Sequence, residues 1–185
     1  MEVTIGVSNH HVHVTEDDYR LLFGSEVPVK FKDLNQTGEF CYTSFVHIIG
    51  PKGEMNVRLM GPFRKYTQVE VSKTDAYLLG IDPPVVSSGN IDNADVLTLV
   101  GPVGSIERAC AIINERHIHL DKATRIQLGL ENVQEVSVKF DGIKGGTLDH
   151  VYIKETPEGV YEMHIDTDDA NALMLKNNDV GKIIL

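Results

Sequence analysis

The sequence predicts a mainly β protein built as two β-barrel domains with short capping α-helices. Three observations carry that expectation: many short strand-like runs rich in β-branched residues, two matched glycine–proline turns, and a His-x-His triplet that occurs twice, each time leading into a short helix. The first triplet is His11-Val12-His13, and the second is His117-Ile118-His119. Histidines spaced i, i+2 lie on the same side of a strand, roughly 7 Å apart at Cα, whereas a helix would point them apart.

The elements follow in order. After His13, the run Thr15 to Gly24 reads as a helix, with Thr15 and Asp18 at capping-box spacing and Gly24 as the stop. Strands are expected over 45–49, 55–60, 68–71 and 96–100, where apolar and β-branched residues dominate. Gly50-Pro51-Lys52-Gly53 and Gly101-Pro102-Val103-Gly104 are the hairpin turns, with Pro at the second position and Gly free to adopt φ > 0. The segment 80–95 carries Gly80, Pro83, Pro84 and Ser87-Ser88-Gly89-Asn90 and interrupts the strand pattern. The domain boundary is placed there, giving a first barrel over 1–88 and a second over 89–185, with the termini free to exchange strands. Asp121 then caps a second helix ending at Gly129, and strands follow over 135–140, 151–154 and 161–165.

Composition narrows the function. The chain has 185 residues, 42% of them hydrophobic, and a net charge of −10, which opposes nucleic-acid and anionic-membrane partners. The N-terminal run lacks the basic flank of an export signal, and no apolar stretch reaches the ~18 residues of a membrane span, so a soluble, unexported protein is expected. Cys41 and Cys110 form no CxxC and read as small core residues in a reducing compartment. No Walker A sequence, dinucleotide fingerprint or G-x-S-x-G elbow is present, which leaves Ser8 and Ser88 without the setting of a nucleophile.

The histidines carry the chemistry. Composition alone yields roughly 0.3 His-x-His pairs, and one pair would read as polar residues on an exposed strand face. Two pairs in equivalent settings point to metal. His164, within Glu162-Met163-His164-Ile165-Asp166, and Glu70, within Gln68-Val69-Glu70-Val71-Ser72, are further candidate ligands. Imidazoles with a carboxylate and no thiolate at ligand spacing suit zinc. His10, His47 and His150 lack partners at ligand spacing and are read as structural. Arg64, with Arg58 and Lys65 around Gly61-Pro62-Phe63, is a cation close in sequence to Glu70 and would hold an anion at the same metal.

Taken together, Val7-Ser8-Asn9-His10-His11-Val12-His13, the run from Gly61 to Ser72, Arg116-His117-Ile118-His119 and Glu162 to Asp168 resemble the PduL-type phosphotransacylases, the phosphate propanoyltransferases. The resemblance spans nearly the whole chain. It implies two β-barrel domains with the active site and two zinc ions between them, and transfer of a short acyl group between coenzyme A and inorganic phosphate. It further implies that His11, His13 and Glu70 hold one zinc and His117, His119 and His164 the other, that catalytic Arg64 binds phosphate, and that coenzyme A lies against Val7, Ser8, Asn9, Lys52, Arg58 and Asn171, with Ser88 and Gly89 near the site. Acyl-CoA, phosphate and acyl phosphate would be its small-molecule partners, and the family's habit suggests a homodimer. The chain departs from the family in writing His10 where relatives place Arg, and it begins almost at the first motif, without the extension that targets relatives to the microcompartment lumen, so the resemblance implies a free enzyme of the bacterial cytoplasm. Rival readings are a zinc-dependent thioesterase, a cysteine acyl-enzyme on Cys41 or Cys110, and a structural-zinc binding module.

Overall fold

The computed structural model describes residues 1–156 and 160–185 and is mainly β. It comprises two compact units. The central unit, His10–Asn114, is contiguous; the terminal unit joins Met1–Asn9 to Glu115–Leu185.

In the central unit, β2 (His11–His13), β4 (Phe40–Ile49), β5 (Glu54–Gly61), β6 (Gln68–Glu70), β8 (Asp95–Val100) and β9 (Ser105–Asn114) close a six-stranded barrel. Strand β2 is parallel to β5 and antiparallel to β6, β6 is parallel to β9, and β8 bridges β9 and β4. Short strands β3 (Lys30–Asp33) and β7 (Val85–Val86) extend it from β4 and β9. The terminal unit closes a second six-stranded barrel in the order β1 (Glu2–Ser8), β13 (Glu162–Asp166), β10 (His117–Leu120), β12 (Gly146–Glu155), β11 (Glu135–Phe140) and β14 (Val180–Ile184). Each barrel has its own apolar core. Val12, Val46, Val57, Leu59, Val69, Leu97, Leu99 and Ala111 fill the central one, and Val3, Ile5, Ile118, Val136, Val138, Phe140, Val151 and Met163 the terminal one.

The two barrels share one connectivity, a strand–helix–strand–strand unit used four times. Its first strands are β2, β6, β10 and β13, and their helices are α1 (Glu16–Phe23), α2 (Lys73–Leu79), α3 (Lys122–Gln127) and α4 (Thr167–Leu173). The N-caps Thr15, Ser72, Asp121 and Asp166 all have nearly the same extended backbone, φ between −74° and −82°, and each side chain accepts a hydrogen bond from the backbone N–H three residues on. The fourth unit takes its last strand, β1, from the other end of the chain: β1 pairs parallel with β13 and antiparallel with β14.

This arrangement corrects the domain boundary. The segment 80–95 joins strands of one barrel, because β7 pairs with β9 and β8 pairs with both β4 and β9. The divisions fall instead after Asn9 and after Asn114. The glycine–proline turns are where the sequence puts them, joining β4 to β5 and β8 to β9, and each receives the end of a helix. Lys52 N–H donates to the Leu79 carbonyl and Val103 N–H to the Leu22 carbonyl, both at 3.0 Å. A Cβ on Gly50 would lie 2.4 Å from the Leu79 oxygen, and one on Gly101 2.3 Å from that of Leu22, so both positions require glycine. Among the described residues no helix is long and apolar enough to cross a membrane.

Candidate metal centres

The repeated first strands present the chemistry. Val12, Val69, Ile118 and Met163 are fully buried in the barrel cores, so alternation turns the residues on either side of each to the opposite face. In the central unit, His11 lies opposite Glu70 and His13 opposite Gln68. Ligand atoms of His11, His13 and Glu70 lie within 4.8 Å of one another. The two rings are edge-to-face at 5.1 Å, and His11 Nε2 is 3.6 Å from Glu70 Oε2.

Glu70 is held rigidly. Its carboxylate accepts hydrogen bonds from Gln68 Nε2 at 2.7 Å, Ser88 Oγ at 2.8 Å and Asn114 Nδ2 at 2.9 Å. Burial opposes its charge, but His11, His13 and the Ser88 hydroxyl more than offset this, and its pKa falls well below the usual carboxylate range. Gly89, at φ +99°, donates its backbone N–H to Gln68 Oε1 and so fixes the amide that holds Glu70. Burial, with His11 and Arg64 nearby, lowers the His13 pKa to about 3. The ring is therefore neutral at physiological pH, and its buried Nδ1 has no hydrogen-bond partner. A neutral imidazole with an orphaned nitrogen, beside an ionised and oriented carboxylate, fits a divalent metal.

In the terminal unit, His117 lies opposite His164 and His119 opposite Glu162. The ring centroids of His117, His119 and His164 are 4.6–5.3 Å apart, and their ligand atoms are again within 4.8 Å. His117 Nδ1 is 2.7 Å from the Glu115 carbonyl and donates to it, which frees Nε2, 3.0 Å from His119 Nε2. With metal–nitrogen bonds of about 2.1 Å, two ligands on one ion sit roughly 3.0–3.5 Å apart, so three converging rings fit a second dication. Arg116 is clamped bidentate on Asp169 of α4, both contacts at 2.7 Å, and fixes the start of β10.

The other candidate residues divide between the units. Arg64 is half-buried in the central unit, where Nη2 donates to Glu39 Oε1 at 2.7 Å, its backbone N–H donates to Val14, and its buried Nε has no partner. Arg58 lies between the rings of Phe31 and Phe45, 5.0 and 4.2 Å from their centroids, and donates to the Tyr42 carbonyl at 2.9 Å. Lys52 occupies the exposed β4–β5 turn. Val7, Ser8 and Asn9 end β1 in the terminal unit, where Asn177 Oδ1 accepts the Val7 N–H at 2.7 Å, and Asn171 is exposed on α4. His10 Nδ1 is 3.2 Å from Asp75 Oδ2 and belongs to neither cluster. Cys41 and Cys110 are buried free thiols, and burial, with the nearby Asp18 charge, pushes Cys110 up to about 12.

Sequence reasoning missed Gln68 and Asn114 as partners of Glu70. The signal for Gln68 was available: Gln68-Val69-Glu70-Val71-Ser72 aligns with His11-Val12-His13-Val14-Thr15, with a capping residue at the fifth place of both. Asn114 carries no such signal, since only the β6–β9 pairing brings it close.

A family profile described as phosphate propanoyltransferase matches residues 4–176. The phosphate propanoyltransferase of Rhodopseudomonas palustris (strain BisB18) is 43% identical over 98% of this chain and 82% of its own length. That of Limosilactobacillus reuteri (strain DSM 20016) is 42% identical over 99% and 88%, and that of Thermotoga maritima is 38% identical over 98% and 89%. On this match over nearly the whole chain, it belongs to the phosphate propanoyltransferase family of acyltransferases.

Proposed function

We propose that the protein transfers a short acyl group, acetyl or propanoyl, between coenzyme A and inorganic phosphate, with two zinc ions per chain. Family membership supports the reaction class. The observation that carries the site assignment is Arg64, a half-buried guanidinium with an unpartnered buried Nε, close enough to His13 to help keep that ring neutral. Such a donor beside an oriented carboxylate and two imidazoles suits a bound anion, and phosphate matches the planar fork of arginine.

In this reading, His11, His13 and Glu70 hold one zinc and His117, His119 and His164 the other. Bound zinc would supply Lewis acidity toward the thioester carbonyl and charge stabilisation of the departing thiolate. Arg64 orients phosphate and neutralises part of its charge, converting an encounter of two anions into a reaction between positioned groups. A phosphate oxygen forms a bond to the acyl carbon, the carbon–sulfur bond breaks, and coenzyme A leaves as its thiolate while acyl phosphate is released. The chain needs no strong base, because phosphate at neutral pH already carries nucleophilic oxygens. Val7, Ser8, Asn9, Lys52, Arg58 and Asn171 are assigned to coenzyme A. The buried, high-pKa Cys110 argues against a cysteine acyl-enzyme.

The test is thiol release from acetyl-CoA and propanoyl-CoA by zinc-loaded protein, with and without phosphate, with acyl phosphate measured alongside. Phosphate-dependent release with stoichiometric acyl phosphate is expected. Release at the same rate without phosphate means hydrolysis and overturns the assignment.

A further inference from the structure

Four copies of one five-residue pattern set side chains in two columns. His11, Gln68, His117 and Glu162 occupy the first, and His13, Glu70, His119 and His164 the second. The two copies within a unit pair antiparallel, so each unit gathers four such residues. Three of them form the candidate centre. The fourth is Gln68 in the central unit and Glu162 in the terminal one.

Gln68 binds the third ligand of its own centre, donating to Glu70. Glu162 does the corresponding thing with opposite polarity: it is buried, and its Oε2 lies 2.8 Å from His164 Nε2. The backbone beneath makes room for the pair. Gly6 of β1 is the strand partner of His164, and a Cβ there would lie 2.9 Å from both Glu162 Oε2 and His164 Cδ2. At the corresponding place in the central unit, beside Glu70, the chain has Ile112. The terminal barrel thus omits a side chain where the carboxylate and the imidazole lie side by side.

We propose that Glu162 is a positioning residue of the second metal centre: its carboxylate accepts the His164 Nε2–H, turns Nδ1 into the ligating nitrogen, and supplies the one negative charge that Glu70 supplies to the first centre. Each dication then has one carboxylate, as a direct ligand in the central unit and as the partner of a ligand in the terminal unit. A carboxylate behind a metal-bound histidine fixes ring orientation and raises ligand basicity.

The proposal rests on the two-metal reading, and the experiment separates the two. Metal-free full-length protein is titrated with cobalt(II), bound metal is counted, and the visible absorption of each equivalent is recorded. The wild type takes up two equivalents. Glu162→Gln retains one at wild-type affinity and loosens the other 10–100-fold with a changed spectrum. Glu162→Asp, which draws the carboxylate back from His164 Nε2 without altering any ligand, has the same effect on the same equivalent. Loss of a single equivalent is distinct from misfolding, which loses both; should Glu162→Gln misfold, Glu162→Asp decides. Wild-type affinity for both equivalents in the deciding variant overturns the proposal and leaves the metal reading standing. A wild-type chain that takes up no cobalt overturns both.

Discussion

The three donors around Glu70 make the central centre sensitive to a residue far from the ligands in sequence. Ser88→Ala deletes the hydroxyl that donates to Glu70 at 2.8 Å and also accepts from Gln68 Nε2 at 2.8 Å. The hydrogen bonds from Gln68 and Asn114 remain. A hydrogen bond to a charged group contributes about 1.5–3 kcal/mol, and every 1.4 kcal/mol is tenfold, so the central site should lose metal affinity by about 10–100-fold. Asn114→Ala, removing a donor to the other oxygen, should act on the same site to the same extent. The assay is extraction of zinc from loaded protein by a graded chromogenic chelator, with the number of ions released and the midpoint of each phase recorded. One phase should move to lower chelator concentration in both variants while the other stays fixed. Extraction curves superimposable on wild type, or an equal shift of both phases, would refute the argument that these donors fix Glu70 for metal.

Other consequences are equally direct. Arg64→Ala should raise the KM for phosphate and lower kcat while leaving the KM for acyl-CoA nearly unchanged; unaltered phosphate kinetics would remove this residue from the mechanism. Asp75, although burial opposes its charge, is held below its ordinary value of 3.8 by His10 and the Ser72 backbone. The stability it contributes is therefore present above that pH and lost as pH falls through the depressed value, and urea midpoints should show a shallower acid decline in Asp75→Asn than in wild type. Cys110, with its thiol pushed up to about 12, should resist iodoacetamide at pH 8 until urea unfolds the chain, and Cys110→Ala should retain activity; rapid native alkylation would contradict the burial. Gly101→Ala places a methyl against the Leu22 carbonyl, which is backbone and cannot swing aside, and should cost about 1–3 kcal/mol in denaturant midpoint analysis; a cost near zero would show that the turn can move.

Local signals account for what the sequence made legible. The His-x-His strands, the Thr15 and Asp121 caps and the glycine–proline turns depend on neighbours within a few residues, and composition and spacing exposed them. Helix α2 is equally encoded, by Ser72 and Asp75 in a full capping box and Gly80 at φ +76°, but its apolar face is short and follows the β6 strand without a turn signal between them. Strand β4 begins at Phe40 rather than 45 because a register irregularity between Cys41 and Phe45 breaks the alternation from which strands are read. Pairings were less accessible. Nothing near Ser8 announces a partner at Asp166, and a proline- and glycine-rich stretch looks the same whether it joins two domains or two strands of one barrel. Gln68 and Glu162, each alone an ordinary polar residue beside a valine or a methionine, are set in register with His11 and His117 only by the fourfold repeat of one strand pattern.

Closure of the terminal barrel by β1 sets an order of events during synthesis. The ribosome delivers this strand before the central barrel, at about 5–20 residues per second overall, yet both of its neighbours, β13 and β14, emerge after that barrel. The central barrel, encoded without interruption, can complete itself in the meantime, while β1 waits with unsatisfied edges on both sides. A chaperone retained on β1 would interfere selectively with the terminal barrel, and a chain lacking Glu2–Ser8 would leave the His117 cluster in a barrel with a missing stave.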